Sequence, residues 1–335
     1  TRSLAPHIGV AKVPEPRLGV LADMLHPKRV VLPEISYIDI GASVKSLSGD
    51  RAIGSQILNR LGNADALINV ARAFSDESIP HIEGSIDVER DIATTNLELA
   101  LYDLGIIGRR LERIETSLKG AKPTERAGLL REQELLTRLK ADLEKEVPIR
   151  GLKLTADEAR TLANYQFLTA KPLLIVANIG EEQIPQAKAL EAQLGSRYLG
   201  AKSGVITLCG KLEMELSQLD NEAAKSFRAE FGITESGPER VIKLSYELLD
   251  LISFFTIVSG EVKAWSIQKS TNAVKAAGKI HSDMEKGFIR AEVISYDDLM
   301  KCGSLAEAQK KGLLRLEGKS YIVQDGDVIT FLFNV

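Results

Sequence analysis

The sequence predicts an α/β protein in which a parallel-sheet domain is interrupted by a long helical hairpin and followed by a small α+β module. Three observations support this fold class. Short β-rich segments alternate with helical ones in residues 1–91 and again in 160–251. Apolar residues recur three or four positions apart in the intervening residues 92–159, as in amphipathic helices. Residues 252–335 combine short strands, an Asp-Gly-Asp turn and short helices, as in a separate small module.

The two outer parts of the first domain supply its predicted strands. Residues 34–40 and 66–71 are apolar and β-branched, as buried parallel strands tend to be, and Pro16–Leu25 has helical spacing. Residues 171–178 and 204–209 predict two more buried strands, separated by a helix. The pattern therefore predicts one α/β domain with an insertion.

The insertion predicts two antiparallel helices. Gly120 and Pro123 bound the break between them, because proline cannot continue a helix. The apolar stripes consist of Leu97, Leu101, Leu104, Ile107, Leu111, Ile114 and Leu118 in the first helix, and of Leu129, Leu136, Leu139, Leu143 and Val147 in the second. Ordinary bundle packing and a dedicated binding arm are both compatible with this pattern.

Composition limits the class of protein. The chain has 335 residues, 44% of them hydrophobic and 27% charged, which is enough for a sizeable core and two or three domains. No apolar run approaches the roughly 18 to 20 residues needed to cross a bilayer, so we expect no membrane partner. Only Cys209 and Cys302 occur, in no CxxC or Cys/His array, which predicts a cytoplasmic protein without disulfides or structural zinc. The net charge of −3 neither requires nor excludes a nucleic-acid partner.

Two predicted strands are followed by loops that suit a nucleotide base. In an open α/β sheet, ligands bind beyond the carboxyl ends of the strands. The first loop has an Asn-x-x-Glu arrangement, which resembles the Asn-Lys-x-Asp base-binding loop of GTPases, and the second lies where GTPases close a short loop over the base. The candidate residues are Asn178, Ile179, Glu181, Cys209, Gly210 and Lys211.

The glutamate in the first loop bears on which base is bound. In GTPases the aspartate accepts two N–H groups of guanine, whereas adenine presents its N1 acceptor there, so a charged Glu181 aimed at the ring edge would oppose ATP. An asparagine in a turn beside a surface glutamate is the alternative interpretation of Asn178 and Glu181.

Another candidate motif, Asp39-Ile-Gly41-Ala42, ends the strand predicted at 34–40. GTPases have Asp-x-x-Gly at this place, where the aspartate reaches Mg²⁺ through water and the glycine N–H meets the γ-phosphate. Here the glycine is third and Ala42 is fourth, so the γ-phosphate contact is altered. A strand-terminal aspartate in a turn is the alternative. Residues 43–54 are rich in Ser, Gly and charge, which predicts a switch loop.

Other catalytic signals are weak or missing in these 335 residues. No Gly-x-x-x-x-Gly-Lys-Ser/Thr phosphate loop occurs. His281 has no nucleophile or second histidine near it in sequence, which favours a structural or surface role. The remaining histidines have no metal-ligand spacing.

Taken together, these residues resemble the YchF family of Obg-like ATPases over essentially the whole chain. The resemblance implies a Ras-like P-loop NTPase domain in residues 1–91 and 160–251, a coiled-coil insert in 92–159 and a C-terminal TGS (β-grasp) domain in 252–335. The segments that carry it are residues 9–18, 53–58, 178–181, 276–291 and 325–335.

The resemblance also implies a function. It implies ATP in preference to GTP, Mg²⁺, slow hydrolysis, and association with the ribosome or structured RNA in translation or stress regulation, by a protein that we expect to be a monomer. Ser3 aligns with the Mg²⁺-binding switch threonine of the family. The family's phosphate loop would lie before Thr1, and we expect that a preceding segment supplies it.

Two other functions stay open on the sequence alone. One is a non-catalytic ribosome- or RNA-binding relative that has lost the phosphate loop, and the other is a structural protein built round the helical hairpin. Basic residues support an RNA partner, although interleaved acids also fit a solvated charged face. They are Arg109, Arg110, Arg113, Lys119 and Lys122 on the hairpin and Lys263, Lys269, Lys275, Lys279, Lys286 and Arg290 in the last module.

Overall fold

The computed structural model describes residues 7–40, 51–81, 83–258 and 260–334, with only the backbone of 51–55. The chain divides into two compact units. Ile40–Pro238 forms the first unit, and Ala5–Asp39 joins Glu239–Val335 in the second. The sequence-based division joins residues 1–91 to 160–251 instead, and its assignment of functional domains stays a prediction.

The helices and strands follow in this order. The N-terminal elements are β1 (His7–Lys12), α1 (Pro16–Leu25), β2 (Arg29–Val31), β3 (Glu34–Asp39), α2 (Arg51–Asn63) and β4 (Leu67–Arg72). The central elements are α3 (Val88–Leu118), α4 (Pro123–Leu143), α5 (Ala156–Leu162), β5 (Leu173–Asn178), α6 (Ala187–Tyr198), β6 (Ser203–Leu208), α7 (Gly210–Leu216), α8 (Asn221–Glu230) and α9 (Gly237–Leu248). The C-terminal elements are β7 (Leu251–Val258), β8 (Glu261–Gln268), α10 (Ala273–Ile280), α11 (Ser282–Lys286), β9 (Phe288–Ser295), α12 (Tyr296–Cys302), α13 (Leu305–Lys310), β10 (Arg315–Glu317) and β11 (Asp327–Phe333).

A three-stranded parallel sheet in the order β4-β5-β6 belongs to the first unit. Arg72, Asn178 and Leu208 are partners in register, so the three strands end at the same edge. β5 is buried from Leu173 to Ala177, as its continuous apolar sequence predicts. The predicted parallel strands of this region are therefore confirmed.

The helices of the first unit pack on this sheet through apolar side chains. Leu99 of α3 and Leu194 of α6 share one buried cluster with Ile175 of β5. Leu58 and Leu61 of α2 pack against the same cluster. α2 begins at Arg51, so the prediction of a loop at residues 43–54 is wrong for 51–54, whereas 43–50 lie outside the described residues.

The predicted helical hairpin is formed by α3 and α4. Pro123 begins α4, where its missing N–H removes no helical hydrogen bond. Ile107 of α3 and Leu136 of α4 are fully buried in the seam between the helices. α4 ends at Leu143, so Val147, which was predicted to continue its stripe, lies beyond the helix and is exposed.

The apolar stripe predicted for α3 is correct in the C-terminal half of the helix and wrong in its N-terminal half. Leu97 and Leu101 are half exposed, at 50% and 51%. Ile92 and Leu99 are buried instead, because this part of α3 packs on the sheet, whereas Ile107 faces α4. The buried side of a long helix follows its neighbours, and these change along α3.

A buried carboxylate joins the root of the hairpin to the turn before β5. Oδ1 of Asp103, which is fully buried, accepts the Leu168 N–H at 3.0 Å. Oδ2 accepts the Thr169 N–H at 2.8 Å and the Thr169 hydroxyl at 2.6 Å. Burial raises the pKa of Asp103, although the donated hydrogen bonds oppose this change. Burial also lowers the pKa of Arg150 to about 10, with the charge of Asp103 opposing it.

One arginine of the predicted basic surface is used within the hairpin. Nη2 of Arg110 lies 2.7 Å from Oε2 of Glu132 on the facing helix, and its Nε donates to the Tyr165 hydroxyl at 3.2 Å. The hydrogen bond with Glu132 raises the pKa of Arg110. Arg110 therefore has a structural role, whereas Arg109 and Arg113 are exposed.

The second unit contains a six-stranded mixed sheet in the order β10-β9-β11-β7-β8-β2. Phe254 and Phe255 are neighbours on β7 and face opposite sides of the sheet. Phe254 packs with Ala276 of α10 on one face, and Phe255 packs with Leu18 of α1 on the other. The predicted Asp-Gly-Asp turn precedes β11, and Gly326 has a φ of +87°, which glycine adopts without strain.

The strand predicted at residues 34–40 exists as β3, but it is not a buried parallel strand. It pairs antiparallel with β1 in a separate two-stranded sheet. Ile8 and Val10 of β1 and Ile38 of β3 are exposed. The prediction is wrong because an apolar, β-branched sequence favours a strand without specifying the direction of its partner.

Arg17 of α1 connects the N-terminal part of the second unit to its last turn. Nη1 of Arg17 lies 2.8 Å from Oδ2 of Asp325, and Nη2 lies 2.7 Å from Oε2 of Glu15. Asp325 also accepts the Ser253 N–H at 2.9 Å. Partial burial raises the pKa of Asp325, but the hydrogen bonds from Arg17 and Ser253 outweigh it, so the pKa lies below its ordinary value of 3.8.

We expect Asp325→Asn to lower the stability of the protein at neutral pH, and this difference to shrink in acid. A depressed folded-state pKa contributes stability that is fully present above 3.8 and is lost as pH falls through the lower folded-state value. The measurement is urea unfolding of both proteins at a series of pH values from 7 downwards. A stability difference that grows as the pH falls would contradict the assignment, and the exposed Asp157→Asn serves as the matched control.

Within the described residues, no helix is long and apolar enough to cross a membrane.

Candidate functional site

The two predicted base-binding loops leave the sheet at adjacent positions. The Ala73 N–H donates to the carbonyl oxygen of Asn178 at 2.8 Å. The Ile179 N–H donates to the carbonyl oxygen of Leu208 at 2.9 Å. These bonds extend the ladder just beyond the strands, so the loops after β4, β5 and β6 begin side by side.

A hydrogen bond connects Asn178, the last residue of β5, to Gly210, the first residue of α7. Oδ1 of Asn178 accepts the Gly210 N–H at 2.9 Å. A Cβ atom at position 210 would lie 3.1 Å from Oδ1 of Asn178, closer than most side-chain contacts, so glycine allows this approach. The carboxamide of Asn178 is thereby oriented by the second loop. Among the described residues, its Nδ2 has no hydrogen-bond acceptor, which leaves a donor for a ligand.

An ion pair also joins the segment after β5 to the first turn of α7. Nζ of Lys211 lies 3.2 Å from Oε1 of Glu181, with side chains that are 71% and 41% exposed. The hydrogen bond and charge of Glu181 raise the pKa of Lys211. Lys211 also lies near other carboxylates, since Glu215 raises its pKa and Lys211 in turn lowers that of Asp76. It is a cation in a locally acidic region.

Ile179 and Cys209 lie beneath the loops. Their residues are only 3% and 6% exposed and belong to one apolar cluster with Leu212 of α7. Burial raises the pKa of the Cys209 thiol, which favours the neutral form. These two buried side chains support the segments that follow β5 and β6.

Gln183 organises the first loop and was missed in the sequence. Its Oε1 accepts the Gly180 N–H at 2.7 Å, and its Nε2 donates to the carbonyl oxygen of Ala73 at 3.0 Å. Gln183 therefore fixes the Asn178 to Glu181 loop to the segment after β4. A glutamine at the third position of a helix can accept the N–H of the residue that precedes the helix, which is half of a capping box, and this was the available signal.

Of the predicted phosphate and metal residues, Asp39 lies in the part of the chain that the structure describes. Asp39 is exposed at the end of β3 in the second unit. Ser3, Gly41 and Ala42 lie outside the described residues, so their roles stay predictions. Within the described part of the chain, no group of three or more His, Cys, Asp or Glu side chains is arranged to hold a metal ion.

His281 has a local structural role. Its Nδ1 accepts the Asp283 N–H at 3.2 Å and so caps the first turn of α11. The side chain is exposed. This geometry agrees with the structural interpretation of His281.

The fold and the paired loops define a class of protein. A parallel sheet with polar loops at the carboxyl ends of its strands is the arrangement by which α/β proteins hold nucleotides. The chain belongs to the YchF family, as the sequence motifs predicted.

Three comparisons support this membership. The protein named Ribosome-binding ATPase YchF from Bacillus subtilis (strain 168) is 39% identical over 335 residues, which cover 99% of this chain and 90% of its own. The protein of that name from Escherichia coli O157:H7 is 37% identical with the same coverage. The family model YchF-GTPase_C, described as a protein of unknown function (DUF933), matches residues 251–334.

A solved structure supports the fold over nearly the whole chain. It is titled as the structure of the Schizosaccharomyces pombe YchF GTPase, has a TM-score of 0.85 and 26% identity, and covers 99% of this chain and 89% of its own. The predicted fold class is therefore confirmed. The two bacterial relatives are named as ATPases, and the Schizosaccharomyces pombe protein is named as a GTPase.

Proposed function

We propose that this protein is a ribosome-binding ATPase that uses ATP as a conformational switch. The observation that carries the proposal is the hydrogen bond between the Gly210 N–H and the side chain of Asn178, at the carboxyl edge of the parallel sheet. The ion pair of Glu181 with Lys211 links the same two segments. A base entering this edge meets an oriented amide donor. The names of the bacterial relatives support ATP and the ribosome as partners.

Each part of the nucleotide has proposed partners in the chain. Asn178 donates to the base, and the loop of Gly210 closes over it. Mg²⁺ arrives with ATP, and Asp39 suits a water-mediated contact because its carboxylate is exposed. By family resemblance, Ser3 joins the Mg²⁺ site, while Gly41 and Ala42 approach the γ-phosphate. The proposed domains are those predicted from the sequence.

The non-catalytic alternative has less support, because the bacterial relatives described above are all named as ATPases. We further propose that the protein acts as a monomer in the cytoplasm, where ribosomes translate.

The hairpin of α3 and α4 is the proposed ribosome-binding surface. Arg109, Arg113, Lys119 and Lys122 are exposed near its tip and can contact phosphates. The basic residues of the last module are less available, since Nζ of Lys275, for example, lies 2.6 Å from Oε1 of Glu285.

We expect the double charge reversal Arg109→Glu with Arg113→Glu to weaken ribosome binding by more than about tenfold at low salt. Each lost phosphate contact also removes roughly 0.7 to 0.9 from the slope of log affinity against log salt. The measurement is ribosome co-sedimentation with Mg²⁺ and ATP at several salt concentrations.

The matched control is Lys202→Glu with Lys225→Glu, an equal charge change at exposed positions outside the hairpin. Equal loss in both double variants would mean that net charge, and not the hairpin, governs binding. No pelleting of the wild-type protein at low salt, with or without ATP, would overturn the ribosome proposal.

A further inference from the structure

The two purines make opposite demands on a carboxylate at the edge of the ring. Guanine presents N–H donors at N1 and N2, whereas adenine presents an acceptor at N1 and an amino donor at C6. A bare carboxylate therefore suits guanine and repels the N1 lone pair of adenine. Glu181 supplies such a carboxylate, and what neutralises it decides which base is tolerated.

The hydrogen bond between Gly210 and Asn178 removes one contact that guanine could use. The Gly210 N–H is donated to Oδ1 of Asn178 at 2.9 Å, so it is not free for the O6 acceptor of guanine. The remaining donor, Nδ2 of Asn178, can reach N7, which both purines present as an acceptor. Asn178 therefore anchors a purine without selecting one, and selection falls to the outer ion pair.

We propose that Lys211 is the specificity-determining residue of this site, because its ion pair with Glu181 cancels the carboxylate charge that would otherwise favour guanine over adenine. This inference rests on the proposed nucleotide-binding function. The ammonium group lies 3.2 Å from Oε1 of Glu181. Both side chains are partly exposed, and ion pairs at such positions contribute little to stability. The pair is therefore not required for the fold and is available to contact a ligand. A base that covers the pair displaces water and strengthens its electrostatic effect.

The surroundings of Lys211 increase its importance. Asp76 and Glu215 both lie within electrostatic range of its ammonium group. Removing Lys211 therefore makes this group of carboxylates more negative overall, although the charge of Arg72 still acts on Asp76. That change repels the phosphates of every nucleotide equally, so only the ratio of affinities for two purines isolates the effect on the base.

The test is a titration of the full chain with ADP and GDP in the presence of Mg²⁺. The quantity compared is the ratio of the Kd for GDP to the Kd for ADP in wild type, Lys211→Ala, Lys211→Arg and Glu181→Gln. We expect Lys211→Ala to lower this ratio at least about fivefold, the factor that corresponds to roughly 1 kcal/mol. Lys211→Arg, which keeps the cation, should restore most of the ratio.

The double variant Lys211→Ala with Glu181→Gln separates charge neutralisation from a general effect of Lys211. Once Glu181 is neutral, removing Lys211 should leave the ratio unchanged. A ratio in Lys211→Ala within about twofold of wild type, or an equal change in the Glu181→Gln background, would overturn the inference while leaving nucleotide binding intact. A wild-type protein that binds neither nucleotide would overturn the proposed function itself, and the role of Lys211 with it.

Discussion

Asp103→Asn is expected to lower the free energy of unfolding by roughly 1 to 3 kcal/mol, the typical cost of leaving a buried hydrogen-bonding group without its partner. Both carboxylate oxygens of Asp103 accept hydrogen bonds, from the N–H of Leu168 and from the N–H and hydroxyl of Thr169. An amide keeps the shape of the side chain but turns one acceptor into a donor. Two donors would then face each other without a partner, and buried unpaired donors are costly. Chemical denaturation of the purified variant measures this effect.

The size of the expected loss depends on burial, which the control variant tests. Glu112→Gln makes the same change of carboxylate to amide on the same helix, but at an exposed position, so it should alter stability by no more than about 0.5 kcal/mol. If Asp103→Asn were as mild as Glu112→Gln, Asp103 would not hold the turn before β5. Arg150, which is half-buried nearby, also donates to the carbonyl oxygens of Thr169 and Lys171 in this region.

The strands of the parallel sheet could be predicted because their sequences are simple. Residues 173–178 are apolar almost without interruption, and such a run in an α/β context specifies a central strand. α1 was also predicted at its observed bounds, because Pro16 suits a first helical turn and the apolar spacing ends at Leu25. Local sequence is sufficient where local preference and burial agree.

Pairing between distant segments could not be predicted in the same way. β2 has only three residues, yet it pairs with β8, more than 200 positions later in sequence, and α1 packs on the same sheet. The local sequence of Arg29–Val31 does not indicate which strand pairs with it. The antiparallel pairing of β1 with β3 was missed for the same reason. Strand partners are decided by the surfaces left open elsewhere in the fold.

The position of Asp103 in the apolar pattern of α3 is a signal that the sequence contains. It lies four residues from both Leu99 and Ile107, on the buried side of α3. A carboxylate among buried positions requires donors, and buried charges are rarely left unpaired. The sequence could therefore indicate that Asp103 has partners, but not that they are in the turn at residues 168–170.

The candidate site was predictable in outline and not in its contacts. The order of the strands places Asn178 and Gly210 at one edge, so their loops were expected to meet. The ion pair of Glu181 with Lys211 depends on side-chain conformations that spacing does not determine. From the sequence alone, Glu181 is an isolated charge that opposes adenine, whereas the structure pairs this carboxylate with the ammonium group of Lys211.

Asn178→Ala is expected to weaken ATP binding by about 1 to 3 kcal/mol, the cost of losing a buried polar partner. The variant removes Oδ1 of Asn178, which accepts the Gly210 N–H at 2.9 Å. The start of α7 then loses its hydrogen bond to the end of β5. The variant also removes the Nδ2 donor that we propose binds the base. The measurement is a titration with a fluorescent ATP analogue in the presence of Mg²⁺. Asn221→Ala, at an exposed position on α8, is the matched control and should bind as wild type does.

A second variant separates the two roles of Asn178. Asn178→Asp keeps an oxygen that can accept the Gly210 N–H, but it replaces the donor Nδ2 with a second acceptor that opposes N7 of the purine. We therefore expect Asn178→Asp to keep the melting temperature of wild type and still to weaken ATP binding at least as much as Asn178→Ala does. If Asn178→Asp bound ATP like wild type while Asn178→Ala did not, Asn178 would act only by holding the loops together. Titrations of both variants that superimpose on wild type would place the base elsewhere, because neither the acceptor nor the donor of Asn178 would then matter to the ligand.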